Sequence, residues 1–145
     1  MAFRFPLATV LRFRQSTEKR EEIALEKVLL EIASVRHQIE QLSAEIAHAQ
    51  EAMNQSLLKP LRAIDLQNML IAVNAIVDHK KALVESLVPL ERQRLERMQA
   101  YRIAHQGRQM LSDMEHRQHE EYDQVRARAE QKFIDDIFAA RSQRG

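Results

Sequence analysis

Nine apolar positions, Leu25, Val28, Ile32, Val35, Ile39, Leu42, Ile46, Ala49 and Met53, follow one another at steps that alternate three and four without a miss. That spacing is the seven-residue repeat of a coiled-coil seam, in which one narrow stripe keeps facing a partner helix while the two supercoil left-handed. Glu, Gln, Arg, Ser and His fill most of the intervening positions. A helix of this kind cannot bury its stripe alone, so the rest of the chain has to supply the partner.

The second half of the chain carries such a partner. Lys59 and Pro60 end the first helix, because proline lacks the N–H that would continue the ladder and biases the residue before it away from helical angles. After a short connection, with Asp65 expected as N-cap, a second seam runs through Leu66, Met69, Val73, Ile76, Lys80, Leu83, Leu87 and Leu90. It then steps through Arg94 and Met98 to Tyr101, a stutter that locally relaxes the supercoil. Leu111, Met114, Tyr122, Val125, Ala129, Phe133 and Ile137 carry the stripe onward. Pro89 lies on the outer face and is expected to kink this helix rather than break it, since the apolar pattern resumes on both sides. Gly107 costs roughly 1 kcal/mol of helix propensity relative to alanine.

The expected fold is therefore all-α: two long helices in an antiparallel coiled-coil hairpin, the second longer and overhanging. One elongated unit is expected over residues 1–145, with a helix over about 6–58, a turn over about 59–65 and a helix over about 66–141. Pro6 fits the first turn of the opening helix. If Leu57 lies opposite Leu66, paired positions sum to about 123, and the first helix runs out opposite residue 116 or so. The second would then overhang by about 25 residues, or ~40 Å, beyond an arm of ~80 Å.

Composition agrees. Charged residues make up 30% of the chain and aromatics 5%, and two Gly and three Pro allow few turns. The absence of Cys excludes a disulfide framework and Cys-based metal sites. No long apolar run opens the chain and none approaches the roughly 20 residues needed to span a bilayer, so a soluble protein without a secretory signal is expected. The net charge of +1 gives no global pull toward nucleic acid, although both terminal twenties are basic.

A two-helix arm has no pocket deep enough to exclude water, and two glycines make neither a phosphate-cradling loop nor a nucleophile elbow. No enzyme, cofactor or small-molecule substrate is expected. The best metal candidate pairs Glu115 with His119, or His116 with Glu120, on one helix face, against the alternative of a solvated charged surface. From Arg14 to Glu22 the first seam turns polar, either as a solvated section or as a surface for another protein. Lys80, Arg94 and Arg108 on the second seam are explained by register and by stems that reach water. Near the turn, Leu70, Ile71 and Val77 either join a local cluster with Leu57, Leu58, Leu61 and Ile64 or form a docking site, and the cluster is the expectation. In the overhang, Tyr122, Val125, Phe133, Ile134, Ile137 and Phe138 form an apolar stripe with no intramolecular partner, which marks an interaction surface, against the alternative that the tail frays or folds back. Phe3, Phe5 and Leu7, toward the same end, are available to join this stripe.

Phe3, Arg4, Phe5, Leu7, Val10, Leu11, Arg14 and Glu18 resemble the opening of the FliJ family, in which an aromatic and basic start leads into a leucine pair, an Arg and a Glu. Glu130, Gln131, Lys132, Asp135 and Asp136 resemble that family's C-terminal stretch, and the turn near residue 60 and the longer second helix also match. The resemblance implies a non-enzymatic component of flagellar type III export, similar to the central stalk of rotary ATPases. It implies cytoplasmic residence at the inner face of the cell membrane. The partners implied are the hexameric export ATPase, the export-gate membrane protein and export chaperones, with the protein a monomer when alone. By resemblance, Arg12, Arg14, Glu18, Glu21, Gln131, Lys132 and Asp135 would meet the ATPase. Met69, Val73, Ile76 and Lys80 would meet the gate, although an aromatic and a His common to some members appear here as Met69 and Lys80. A self-associating coiled-coil tether, the equivalent stalk of a virulence secretion system, and a membrane-surface tail built on Phe133, Ile137, Phe138 and Arg141 are the competing readings.

Overall fold

A computed structural model describes residues 2–144. They form two helices, α1 (Ala8–Ser56) and α2 (Ala63–Arg144), and no strand occurs among the described residues. The two helices pack against each other as an all-α hairpin, and contacts divide the chain into two units. One unit comprises residues 22–100, the other the residues up to Glu21 together with those from Tyr101 on.

Within the 22–100 unit, the stripe of α1 is the covered face. All nine seam positions from Leu25 to Met53 are buried or half-buried, whereas most residues between them are exposed. Val28 and Ile32 are the most deeply covered. On α2 the positions from Leu66 through Leu90, and then Arg94 and Met98, are likewise buried or half-buried. Each helix thus hides one narrow stripe, which is all that a two-stranded interface can cover. The edge of the interface carries an ion pair, Arg36 Nη2 to Glu91 Oε1 at 2.7 Å, and Glu91 also accepts from Arg94 Nε at 2.7 Å.

α1 ends without a left-handed cap, since no described residue has positive φ. Its last turn tightens instead: Leu58 N–H donates to Gln55 O at 3.2 Å and Lys59 N–H to Ser56 O at 3.3 Å. The second of these three-residue bonds satisfies the Ser56 carbonyl, which Pro60, four residues on and lacking an N–H, could not. The expected N-cap at Asp65 is replaced by an earlier start. Arg62 O accepts from Leu66 N–H at 3.2 Å, so Arg62 stands at the cap position and Asp65 lies inside the first turn. There the carboxylate still favours the helix, because it sits among free N–H groups at the positive end of the dipole. α2 then runs through Pro89 without interruption. The proline removes one ladder bond, and the covered stripe on both sides holds the helix together across the gap.

Of the residues expected to cluster at the turn, Leu61 is half-buried. Leu57, Leu58, Ile64, Leu70, Ile71 and Val77 are exposed, Leu58 at 86%. Six apolar side chains around so tight a connection cannot all reach an interface two positions wide.

In the other unit, Pro6 precedes the helix rather than sitting in its first turn. Ala8 N–H donates to Phe5 O at 3.1 Å and Leu11 N–H to Leu7 O at 2.8 Å, which makes Pro6 the second residue of a turn leading into α1. Proline's fixed φ suits that position. Phe5 and Leu11 are buried on the α1 side and Ala104 on the α2 side.

Candidate functional site

In the unit formed by the chain termini, the polar section of the first seam turns out to be paired. Glu18 Oε2 accepts from Arg108 Nε at 2.8 Å and lies 3.3 Å from His105 Nδ1. The Glu18 and Arg108 side chains are 19% and 21% exposed. Arg108 also reaches His105 Nδ1 at 3.3 Å and Ser112 Oγ at 3.4 Å, so its fork is satisfied within the unit. His105 in turn stacks on Tyr101, with ring centroids 5.8 Å apart. The register expected from a Leu57–Leu66 pairing puts residue 105 opposite Glu18, and that is where His105 lies. The position could have been found by extending that register to the polar stretch.

A half-buried pair of this kind contributes little net, but breaking it leaves a poorly solvated charge. Arg108→Ala and Glu18→Gln are each expected to lower stability by about 1–2 kcal/mol. The double variant should lose less than the sum, because the second change removes the charge stranded by the first. Urea denaturation followed by circular dichroism reads both. Additive losses would show that the pair is not coupled.

The N-terminal segment joins α2 beyond the end of α1. Phe3 packs edge-on against His119, with centroids 4.8 Å apart, and against Tyr122 at 5.6 Å. Tyr122, assigned by the sequence to the uncovered stripe, is therefore half-covered. The residues before Ala8 thus cover α2 past residue 116, at the positions that the register expected from the turn gives for Phe3. Every residue from Asp123 to Arg144 is exposed, and Val125, Phe133, Ile134, Ile137 and Phe138 stand uncovered on this stretch. Arg126, Ala129, Glu130, Phe133 and Ile134 line a shallow groove there.

Of the residues assigned to an ATPase contact, Arg12 and Arg14 are exposed, and Glu18 and Glu21 are half-buried on the face of α1 turned to α2. Gln131, Lys132 and Asp135 are exposed on the uncovered stretch, where Gln131 Nε2 donates to Asp135 Oδ1 at 3.0 Å. All seven belong to this unit. The four residues assigned to the export gate belong to the other. Met69, Ile76 and Lys80 are half-buried and Val73 is 8% exposed, so all four share the inward stripe of α2. The exposed apolar residues beside them are Leu70, Ile71 and Val77.

His116 Nε2 pairs with Glu120 Oε1 at 3.1 Å, as the spacing suggested. His119 Nδ1 pairs with Asp123 Oδ2 at 3.0 Å rather than with Glu115. Among the described residues, no three His, Cys, Asp or Glu side chains converge as metal ligands would. Among them, too, no helix is long and apolar enough to cross a membrane.

The family model described as "Flagellar FliJ protein" matches residues 3–145. No curated protein and no solved structure matches the chain.

Proposed function

The chain belongs to the FliJ family and is thus a component of the flagellar export apparatus; within that role, we propose that it is a non-enzymatic stalk that binds and stimulates the hexameric export ATPase. The observation that carries this reading is the uncovered stretch of α2 from Asp123 onward, with Val125, Phe133, Ile134, Ile137 and Phe138 exposed in a row and no intramolecular partner among the described residues. Exposed apolar stripes on soluble helices are interaction surfaces. Gln131, Lys132 and Asp135 flank this stripe, while Arg12 and Arg14 present charge from α1 in the same unit. Glu18 and Glu21 act from behind, Glu18 by fixing Arg108 and His105.

Because the apolar area is small and charges surround it, affinity is modest and sensitive to salt. The test is ATP hydrolysis by the same organism's export ATPase, with and without this protein, at two ionic strengths. Stimulation is expected at up to one protein per hexamer and falls as salt rises. A folded, helical protein that leaves hydrolysis unchanged at both salts overturns the stalk reading. The competing tether reading uses the same stripe for self-association, and it predicts a molar mass that rises with concentration in light scattering where the stalk predicts a monomer.

We further propose that the turn-proximal part of α2 meets the export gate, with Met69, Ile76 and Lys80 reached from the rim of the interface and Val73 acting through packing. Handling of export chaperones and residence at the inner face of the cell membrane follow from the same family reading.

A further inference from the structure

Between Glu51 and Asp78 only Lys59, Arg62 and Asp65 are charged, in a chain that is 30% charged as a whole. This stretch holds the end of α1, the turn and the first turns of α2. Its apolar side chains do not form one stripe. On α2, Leu66, Met69, Val73 and Ile76 are buried or half-buried, while Ile64, Leu70, Ile71 and Val77 are exposed. Leu70 and Ile71 are consecutive and so stand about 100° apart around the helix. In the turn, Leu57 and Leu58 are exposed side by side.

A helix that is apolar around most of its circumference belongs in apolar surroundings, whereas a protein groove takes up one stripe. Side chains that leave this end in several directions suit a fluid phase better than a single partner surface. The backbone fits as well. The N–H groups of Leu57, Leu58 and Lys59 donate to the Met53, Gln55 and Ser56 carbonyls at 3.0, 3.2 and 3.3 Å, and Pro60 has none to offer. These four positions carry no open donor into a poorly hydrated phase, where one would be costly. The charges have the sign that an anionic surface attracts. Lys59 and Arg62 are exposed, and the one acid, Asp65, is half-buried with its carboxylate 3.7 Å from Arg62 Nε.

We infer that the turn between α1 and α2 is a lipid-contacting tip that seats in the surface of an anionic bilayer, with Leu57, Leu58, Ile64 and Ile71 among the acyl chains and Lys59 and Arg62 at the headgroup phosphates. Such a seat gives the membrane residence proposed above a physical means and rests on that reading for its place in the cell; the contact is with lipid, not with the export gate. Interfacial helices reach about 5–10 Å into the boundary between headgroups and acyl chains. Inserted end-on, at about 5.4 Å per helical turn, that depth takes in the turn and about two turns of α2, as far as Ile71. Long basic side chains lay their stems along the acyl boundary and keep their charge at the phosphates.

The experiment mixes the protein with vesicles and reads the bound fraction by flotation. Vesicles of phosphatidylcholine and phosphatidylglycerol are expected to bind it at low salt, and vesicles of phosphatidylcholine alone about tenfold less. Raising the salt should release it from the anionic vesicles. Leu58→Glu and the double variant Lys59→Ser/Arg62→Ser should each weaken binding by about tenfold. All three residues are exposed, so circular dichroism and melting should stay as in wild type. Leu30→Glu, on the exposed face of α1 away from the turn, should bind as wild type. The chain has no Trp, so Leu58→Trp supplies a single reporter whose emission should move to the blue with anionic vesicles. Binding that survives Leu58→Glu overturns the inference, because another surface then meets the lipid. Binding only to vesicles that carry the export gate overturns the lipid contact and leaves the membrane residence standing. Binding to neither overturns both. A molar mass that rises with concentration in wild type but not in Leu58→Glu, read by light scattering without lipid, assigns the tip to a second copy and overturns the inference too.

Discussion

Cutting the chain after Tyr122 is expected to bring ATPase stimulation down to the unstimulated rate while the remaining hairpin stays folded. Asp123 to Arg144 are all exposed, so little beyond the His119–Asp123 pair is lost with them. Phe3 still covers His119 and Tyr122, and Glu18 still holds Arg108. The circular dichroism signal should fall only by the share of the helical residues removed, and the melting temperature should shift little. A shorter cut that keeps Phe133 to Phe138 separates the apolar stripe from the final basic residues. Stimulation that survives removal of residues 123–145 would show that the uncovered stripe is not the ATPase contact. A melting temperature that drops sharply would show instead that the stripe packs in solution.

The second large effect is on stability. Ile32→Ala is expected to destabilise the protein by about 2–3 kcal/mol, the lower part of the range for buried Ile to Ala changes. Ile32 is 3% exposed, so nearly the whole side chain leaves water on folding. The value sits low because a two-stranded interface can close partly over a gap and admit water from its edges. Leu30, two positions earlier in the same helix, is 72% exposed, and Leu30→Ala should change stability by no more than about 0.5 kcal/mol. Both variants gain helix propensity from alanine, so the contrast reads packing alone. Urea midpoints measure it. Equal losses at the two positions would mean that α1 does not present its heptad stripe to α2.

Much of this was legible in the sequence because a heptad stripe is a local pattern. The spacing of Leu25 to Met53 names the covered face of α1 before any partner is known, and every one of those positions is buried or half-buried. Pro60 ends a helix through chemistry confined to its own neighbours. The exposed stripe on α2 and the basic residues of α1 follow from composition and periodicity, whereas their assignment to an ATPase contact came only from the resemblance to the FliJ family. His105 was not assigned a role, because its partner Glu18 stands opposite it only once the register of the two helices is extended into the polar stretch.

The sequence by itself determined two helices, their facing stripes and the turn between them, since each depends on steps of three and four residues and on proline's missing N–H. Only the tertiary structure decided how far the chain before Ala8 reaches along α2, and so that Tyr122 is covered while Val125 is not. It also decided that Leu58 and Ile71 stay in water. These outcomes depend on which residues of one helix stand opposite which residues of the other. A stripe specifies that it needs a partner; the register of the pair is set by how all the cross-helix contacts fit at once.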